Sequence, residues 1–434
     1  MTSPPPGVGR LTKARLLVGL RGELRRPAPV ARALADLRSH AAADSPWYRA
    51  RLAGLAGAPL AELPVLTRDD LVDHFDELVT DPALRREALQ RHVDSSPPGT
   101  RLGRYWIGAS SGSGGRPALL PFDRHEWAAK LANAARAQSI VGAGGAGGTG
   151  GESGRPRVAR IASPAGWHLS SQVGATLSDP RRPTLRLPAT TPFDELVDQL
   201  QRWRPTVLNG YASVLGRLAD AQLAGDVDLA PRRVLSGAEP LTAGIRERIR
   251  SAWAVEPHDQ YVATEAGFIA AECDAHDGMH VLADDVVLEA VEGAVLVTVL
   301  HSRTVPLIRY RIDDAVRLLD RPCCCGRRSP RLVVDGRARE LLTFSHAGGA
   351  ATVHPVVFTQ VLDRQPVAAW QVVHRPDAVD VLVAGARDGF DEPAAVAALS
   401  AALADAGAHI PVTLHQVAEV PSAASGKAAR FVER

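Results

Sequence analysis

Apolar and polar positions alternate along this chain with two periods. Through the first hundred residues the spacing is helical. "LTRDDLVDHF" offers Thr67 as a cap with Asp70 three residues on, the reciprocal arrangement that starts a helix. "DRHEWAAKLANAARAQ" predicts another helix, opening at Asp123. From about residue 157 short apolar runs ending in glycine alternate with helical segments. "RVARIAS", "PTVLNG" and "RRVLSG" read as strands. "TTPFDELVDQLQRW" reads as a helix capped by Thr191, with Pro192 in its first turn and Asp194 on the N-terminal dipole. In "AEPLTAGIRERIRSAW", Leu241, Ile245, Ile249 and Trp253 recur every four residues and mark one helical face. Repeated strand–helix units predict an α/β architecture, with ligands beyond the carboxyl ends of the strands. "GAVLVTVL" and "PLIRYRIDDAVRLL" predict β structure. Beyond "VVDGRARELLTF" the pattern shifts to a shorter unit of strands and helices, so a boundary is placed near Gly336.

Composition narrows the class. The chain has 434 residues, 45% of them hydrophobic, enough for a large domain and a smaller one. Fifty basic side chains against 48 acidic give a formal charge of +2. That balance argues against a nucleic-acid partner, which needs a basic stripe. No apolar run is long enough for a bilayer. The N-terminus lacks the apolar core of a signal peptide and reads as a polar tail leading into an amphipathic helix. Four cysteines, three of them adjacent, are no disulfide framework at this size, so a reducing cytoplasmic setting is expected. "GAGGAGGTGGESGRP", Gly142 to Pro156, is low in complexity and reads as a mobile exposed loop.

Candidate chemistry begins at "RYWIGASSGSGGRPALLPFD". Here Ser110, Ser111, Gly112, Ser113, Gly114 and Gly115 are followed by Arg116 and a proline. A loop of backbone N–H groups and hydroxyls can wrap phosphate oxygens. A surface turn is the other reading of this run alone. Gly237, Ala238 and Glu239 stand where a strand ends, the usual ligand position in such folds.

Six stretches occur in order: "ASSGSGGRP", "SGAEPL", "DQYVATEAG", "LIRYRIDD", "DGRARELL" and "PSAASGKAARF". Together they resemble the adenylate-forming enzyme superfamily, and within it the phenylacetate–coenzyme A ligase branch with its coenzyme F390 synthetase-like members. The resemblance spans roughly residues 45 to 434. It implies an α/β adenylation domain over 1–335, with sheets flanked by helices, and a small mobile α+β domain over 336–434. It also implies ATP and Mg²⁺ as partners in activating a small carboxylic acid, aromatic by analogy with the branch. Transfer to coenzyme A, a carrier-protein thiol or an amine would follow. Adenylyl transfer to a hydroxyl, or a binding protein that no longer turns over, are the alternatives. The branch also implies a homodimer.

Residue by residue, the resemblance puts Ser110 to Arg116 on the β- and γ-phosphates. Arg116 stands where lysine is usual; it stays cationic but is planar and bulkier. Thr264 would contact the α-phosphate and Glu265 would hold Mg²⁺, a hard cation that wants oxygen. Gly237, Ala238, Glu239 and Pro240 match the loop beside adenine, Tyr261 the residue stacked on the base, and Asp314 the carboxylate on the ribose hydroxyls. Arg337 falls in the hinge motif on the nucleotide side. Lys427 matches the lysine of the small domain that reaches the acyl and α-phosphate oxygens. Such a site must supply cations and N–H donors where charge gathers between two anions. Trp167, His168, Tyr211 and Ser213 are candidates for the acyl pocket, with core packing as the other reading.

The chain departs from the family's pattern in three further places. Ile312-Asp313-Asp314 replaces Thr-Gly-Asp. Gly336-Arg337-Ala338-Arg339-Glu340 replaces Gly-Arg-x-Asp-Asp. "SHAGGAATVHP" replaces the Arg-Gly-Val-Asn-type loop of the thioester-forming step. The adenylating half is nearly whole, and the coenzyme A half departs more.

The cysteines suggest a metal. "ECDAHDGMH" and "RPCCCGRRSP" could close a tetrahedral zinc site from Cys-x-Cys, a distant Cys and a His. Buried free thiols are the alternative. By the branch's pattern the ligands are Cys273, His280, Cys323 and Cys325, with His276 as a substitute for His280. Four such ligands leave no open position, so the ion would be structural.

Overall fold

The computed structural model describes residues 10–25, 29–110, 116–142, 156–164, 166–176, 184–337, 342–346, 349–353, 356–421 and 430–433. The chain divides into two compact units. One comprises Met1–Ser153, Ala165–Arg181 and Gln260–Val333; the other comprises Gly154–Pro164, Arg182–Asp259 and Val334–Arg434.

The first unit starts with helices, as the spacing predicts. The capping box at Thr67 is present: its hydroxyl accepts from the Asp70 N–H while Asp70 accepts from the Thr67 N–H. Just before it, Leu66 is stitched to the Tyr310–Ile312 strand. Its N–H donates to the Arg309 carbonyl and its own carbonyl accepts from Arg311. Two fully buried strands, Tyr105–Ala109 and Leu119–Phe122, then pair antiparallel, with Ala109 opposite Leu119. The strands on either side of the Ser/Gly run are thus paired with each other and anchored in the core.

The Arg124–Ile140 helix follows, with Asp123 and Glu126 forming a second capping box. Trp127 of this helix stacks on Trp106 of the hairpin with ring centroids 5.6 Å apart. Glu126, Lys130 and Asn133 recur at helical spacing, and all three are buried. This polar stripe faces protein, not solvent, and organises the site described below.

From Gln260 on in the same unit, the His258–Ala263 strand forms a hairpin with Gly267–Glu272, and Met279–Val281 extends it antiparallel. Three residues, Thr264 to Ala266, make the hairpin's tip. Gly267 closes it at φ +85°, the left-handed conformation that ends three-residue hairpin loops and suits glycine.

The second unit holds the α/β repeat. Thr184–Pro188, Val158–Ala162, Val207–Gly210 and Arg233–Gly237 lie side by side in parallel. The Phe193–Trp203, Ala212–Ala224 and Ala243–Trp253 helices belong to this block. Ile245 and Ile249 join Leu196, Leu200, Leu215 and Leu218 in its core, as the four-residue spacing predicts. One cap differs. The helix at 193 begins beyond Pro192, which occupies the cap position with no side-chain bond. Thr191 lies one residue too early to cap it.

Residues 342–433 of this unit carry a separate core around Phe344, Phe358, Val381 and Leu399. Val367–Arg375 and Ala378–Ala386 pair antiparallel at the centre of a four-stranded sheet, and Val412–Val417 and Phe431–Glu433 add in parallel at its edges. This segment packs on the α/β block through charge. The carboxylate of Asp220, on the Ala212–Ala224 helix, lies between Arg248 at 3.4 Å and Arg387 at 2.6 Å.

Candidate functional site

Hairpin tips and strand ends carry the predicted residues. In the first unit, Thr264 and Glu265 sit in the 264–266 tip, partly exposed. The Tyr310 hydroxyl donates to Glu265 Oε1 at 3.1 Å. Burial and the neighbouring Glu265 push the Tyr310 hydroxyl well above the usual tyrosine value, so it stays a neutral donor. Beside it, the Tyr261 hydroxyl donates to Asp314 Oδ2 at 2.7 Å. The residues expected on base and ribose are thus joined, and Tyr261 is largely buried. Tyr310 lies inside the quoted "LIRYRIDD", but nothing in its spacing points to Glu265; the contact depends on how two strands align.

The Ser/Gly hairpin contributes its neck. The Ser110 N–H donates to the Ala118 carbonyl at 3.0 Å, and Ser110 Oγ accepts from the Ala118 N–H at 2.9 Å. Ser110 and Ala118 thus bond to each other twice across the pair of strands. Ser111, Gly112, Ser113, Gly114 and Gly115 lie outside the described residues. At the far side of the neck Arg116 pairs with Asp73 at 2.7 Å, and its carbonyl accepts from Arg68 at 2.6 Å. Arg86 donates to the carbonyl of Pro117 at 3.0 Å. Arg68, Arg86 and Arg116 therefore gather where the loop leaves the core, a concentration of cation that the sequence spreads over 48 positions.

Beneath the 264–266 tip lies the polar stripe of the Arg124–Ile140 helix. Lys130 Nζ donates to the Ala266 carbonyl at 2.7 Å and to the Glu265 carbonyl at 3.2 Å. Asn133 brackets Phe268, just past Gly267, accepting from its N–H and donating to its carbonyl, both at 2.8 Å. Burial pulls the Lys130 amine down to about 8, against the opposing pull of Asp285, Glu126 and Glu265.

In the second unit, Gly237 ends its strand and Ala238 turns at φ +66°, a conformation that costs a non-glycine residue roughly 1–2 kcal/mol. The Glu239 carboxylate then accepts from the Ser213 N–H at 2.9 Å. This ties the 237–240 loop to the start of the Ala212–Ala224 helix. Tyr211 precedes that helix and hydrogen-bonds with Ser163; burial raises its hydroxyl above the usual value. Tyr211, Ser213 and Glu239 thus stand together at the carboxyl ends of parallel strands. Pro240 follows on the same loop. In the first unit, Trp167 is buried and its carbonyl accepts from the Ala109 N–H at 3.0 Å. The His168 carbonyl starts the Leu169–Thr176 helix. Trp167 packs edge-on against His92, so core packing accounts for much of its burial. Arg337 ends the Arg331–Arg337 strand, and nothing of its side chain is described. Lys427 lies outside the described residues.

A separate group forms from the cysteines. Cys273, His280, Cys323 and Cys325 place one donor atom each within 4.8 Å of one another. The Cys273 and Cys323 sulfurs are 3.7 Å apart, and Cys325 Sγ lies 3.2 Å from His280 Nε2. Tetrahedral zinc with sulfur bonds of about 2.3 Å needs sulfurs ~3.8 Å apart, so the donors fit that ion. His280 is fixed from behind by Ser329 Oγ, 3.0 Å from its Nδ1, which leaves Nε2 toward the cysteines. Strand pairing decides which histidine joins. His280 lies between Ala271 and Arg331 in the sheet, whereas His276 sits in the preceding turn with Glu272 3.4 Å away. Cys324 is exposed and is not among the four.

By fold, the chain matches solved adenylate-forming ligases of mixed α/β architecture. Among solved structures the chain is similar to 2-hydroxyisobutyryl-CoA ligase in the postadenylation state with R3-HIB-AMP. The TM-score is 0.71 at 17% identity, over 93% of this chain and 89% of that one. It is also similar to the anthranilate CoA ligase AuaEII with anthranoyl-AMP, with a TM-score of 0.52 at 15% identity over 75% and 66% of the two chains. No family model matches the chain. A stretch of 128 residues is 29% identical to Protein CapK of Staphylococcus aureus, covering 28% of this chain and 28% of that protein. Among the described residues, no helix is long and apolar enough to cross a membrane.

Proposed function

We propose that this chain uses ATP to activate a small carboxylic acid as its acyl-adenylate and passes the acyl group to coenzyme A. The observation that carries the reading is the paired arrangement of Glu265 with Tyr310 and Asp314 with Tyr261. Two carboxylates are held in place by neutral phenols, one at a hairpin tip beside a threonine and one at a strand end. The solved relatives by fold support the same reaction class. Those proteins are CoA ligases holding an acyl-AMP.

In this reading an oxygen of the acid's carboxylate attacks the α-phosphorus of ATP. The bond from that phosphorus to the bridging oxygen breaks, and pyrophosphate leaves. Thr264 donates its hydroxyl to the α-phosphate. Glu265 and the phosphates hold Mg²⁺, which offsets the charge that gathers on them. The Ser110–Arg116 hairpin loop surrounds the leaving pyrophosphate. Asp314 accepts from the ribose hydroxyls, and the 237–240 loop lies along adenine. Lys427, carried by a small domain beginning near Gly336, reaches the reacting oxygens. Tyr211 and Ser213 line the acyl side, with an aromatic acid as the substrate class. The four-donor cysteine–histidine group holds a structural zinc.

Acid-dependent ATP–pyrophosphate exchange, run over aryl and aliphatic acids, tests the reading. Exchange with one class of acid, abolished in Lys427→Ala, is the expected result. Absence of exchange with every acid, despite ATP binding, would overturn it.

A further inference from the structure

We infer that Lys130 and Asn133 are positioning residues for the nucleotide site, setting the height and tilt of the Thr264–Glu265 tip from beneath. The inference rests on the reading of Thr264 and Glu265 as the groups that meet the α-phosphate and Mg²⁺.

The two side chains grip four backbone groups on either side of Gly267. Lys130 Nζ takes the carbonyls of Glu265 and Ala266, and Asn133 takes both the N–H and the carbonyl of Phe268. Glu265 itself thus has its carboxylate held from one side by Tyr310 and its carbonyl held from below by Lys130. A three-residue loop has few backbone bonds of its own. Here a side chain in the core supplies what the hairpin cannot.

The grip is itself braced. Asn133 also donates to Asp285 Oδ2 at 3.2 Å, and Arg136 pairs with Asp285 Oδ1 at 2.6 Å. Lys130, Asn133 and Asp285 are all buried. One turn back on the same helix, Glu126 accepts from the N–H groups of Arg303 and Thr304. The helix is therefore fixed at both ends of the stripe before Lys130 and Asn133 meet the tip. A lysine is suited to the position because its three N–H donors on a long stem can serve two carbonyls at once. Its charge lies near the carboxylate that would hold Mg²⁺ without occupying that carboxylate's oxygens.

Lys130→Met keeps the stem and removes the donors. Displacing a catalytic group by about 1 Å costs on the order of 100-fold in rate. In exchange assays Lys130→Met is expected to lower kcat by ~10- to 100-fold and raise the half-saturating Mg²⁺ concentration by ~5-fold or more. The KM for the acid should stay within about twofold, because the acid meets other residues. Calorimetric titration with ATP, with and without Mg²⁺, reads the same effect without turnover. The gain in ATP affinity that Mg²⁺ brings should shrink in the variant. This second reading stands even if no acid supports exchange in the unaltered protein, a result that would count against the proposed reaction alone. Asn133→Ala should act in the same direction and serves if Lys130→Met does not fold. Leu218→Ala, a core variant in the other unit, controls for lost stability and should leave the Mg²⁺ dependence unchanged. Equal Mg²⁺ dependence in Lys130→Met, Asn133→Ala and the unaltered protein would overturn the inference. So would a Leu218→Ala variant that shifts it as much.

Discussion

The Tyr310 hydroxyl donates to Glu265 Oε1 at 3.1 Å, across the gap between a strand and a hairpin tip. Leu66 supports the strand end, since Arg309 and Arg311 both bond to its backbone. Removing the hydroxyl leaves the ring's packing and frees the carboxylate. A hydrogen bond to a charged group is worth about 1.5–3 kcal/mol. Tyr310→Phe should therefore cost on the order of 10- to 100-fold in ATP–pyrophosphate exchange, assayed well below a melting temperature that falls by a few degrees. Steady-state exchange beside a thermal melt checks this. A variant as active as the unaltered protein would remove Tyr310 from the site.

Asp314 and Tyr261 make the second pair. If Asp314 accepts from the ribose, Asp314→Ala should raise the KM for ATP by ~10-fold or more with a smaller effect on kcat. The preference for ATP over 2′,3′-dideoxy-ATP should collapse in the same variant, since the lost partner is the one that distinguishes them. Tyr261→Phe should shift the KM less, because the carboxylate remains but is no longer held. Competition assays with both nucleotides check the order. A variant that still prefers ATP as strongly would assign Asp314 to the fold alone.

Much of this was legible in the chain, and the losses have physical causes. Period and caps located the helices at 68 and 124 and the parallel strands of the second unit. They placed Thr191 one residue early because a proline at the cap position needs no side-chain partner. The resemblance named Cys273, His280, Cys323 and Cys325 with His276 as a substitute, and strand register is what sets His280 beside the three cysteines. The contribution of Lys130 and Asn133 was not legible. A polar stripe at helical spacing ordinarily marks the solvent face, and here it is covered by a hairpin tip contributed 135 residues later. Tyr310 was hidden for the same reason, since its partner lies 45 residues away.

The cysteine–histidine group carries its own test. One zinc per chain is expected by elemental analysis of protein purified without chelator. Cys325→Ala and Cys273→Ala should lose it, while Cys324→Ala, outside the four, should keep it. Loss of a closed four-ligand site should lower the melting temperature by ~5–10 °C, on the scale of a few kcal/mol in a large domain. Burial pushes the Cys273 thiol up to about 12, so without an ion that thiol stays protonated at neutral pH. Protein that holds no zinc, or a Cys324→Ala variant that loses it, would reassign these residues.

Acid stability should report on Asp81. The Tyr105 hydroxyl donates to its Oδ2 at 2.5 Å and Arg104 at 3.0 Å. The Tyr105 bond holds the Asp81 carboxyl below its usual value, with Arg104 adding to it. A folded-state value below the unfolded one means that the unfolded chain binds the proton first. The contribution is then complete above about pH 4 and is lost as pH falls through the folded value. Tyr105→Phe should be less stable than the unaltered protein at pH 7, and the gap should close on acidification below about pH 4. Urea unfolding at both pH values measures it. A gap independent of pH would mean that the hydroxyl acts through packing.

Gly267 ties the hairpin tip to the helix beneath it and gives the strictest test of their fit. Its φ of +85° is open to glycine and costly to other residues, and a Cβ there would lie 2.8 Å from Asn133 Oδ1. That oxygen cannot retreat without releasing the Phe268 N–H it accepts. Gly267→Ala thus combines backbone strain with a broken bracket, and should cost about 1–3 kcal/mol of stability. If the tip carries the nucleotide-binding pair, the loss of exchange should exceed what that destabilisation explains at a temperature well below melting. Gly267→Ala in an Asn133→Ala background separates the two causes. Removing the oxygen relieves the clash, so the double variant should recover stability relative to the sum of the single ones. Exchange should stay low in it, because the bracket is gone. Recovery of both together would mean that the tip finds its catalytic position without Asn133.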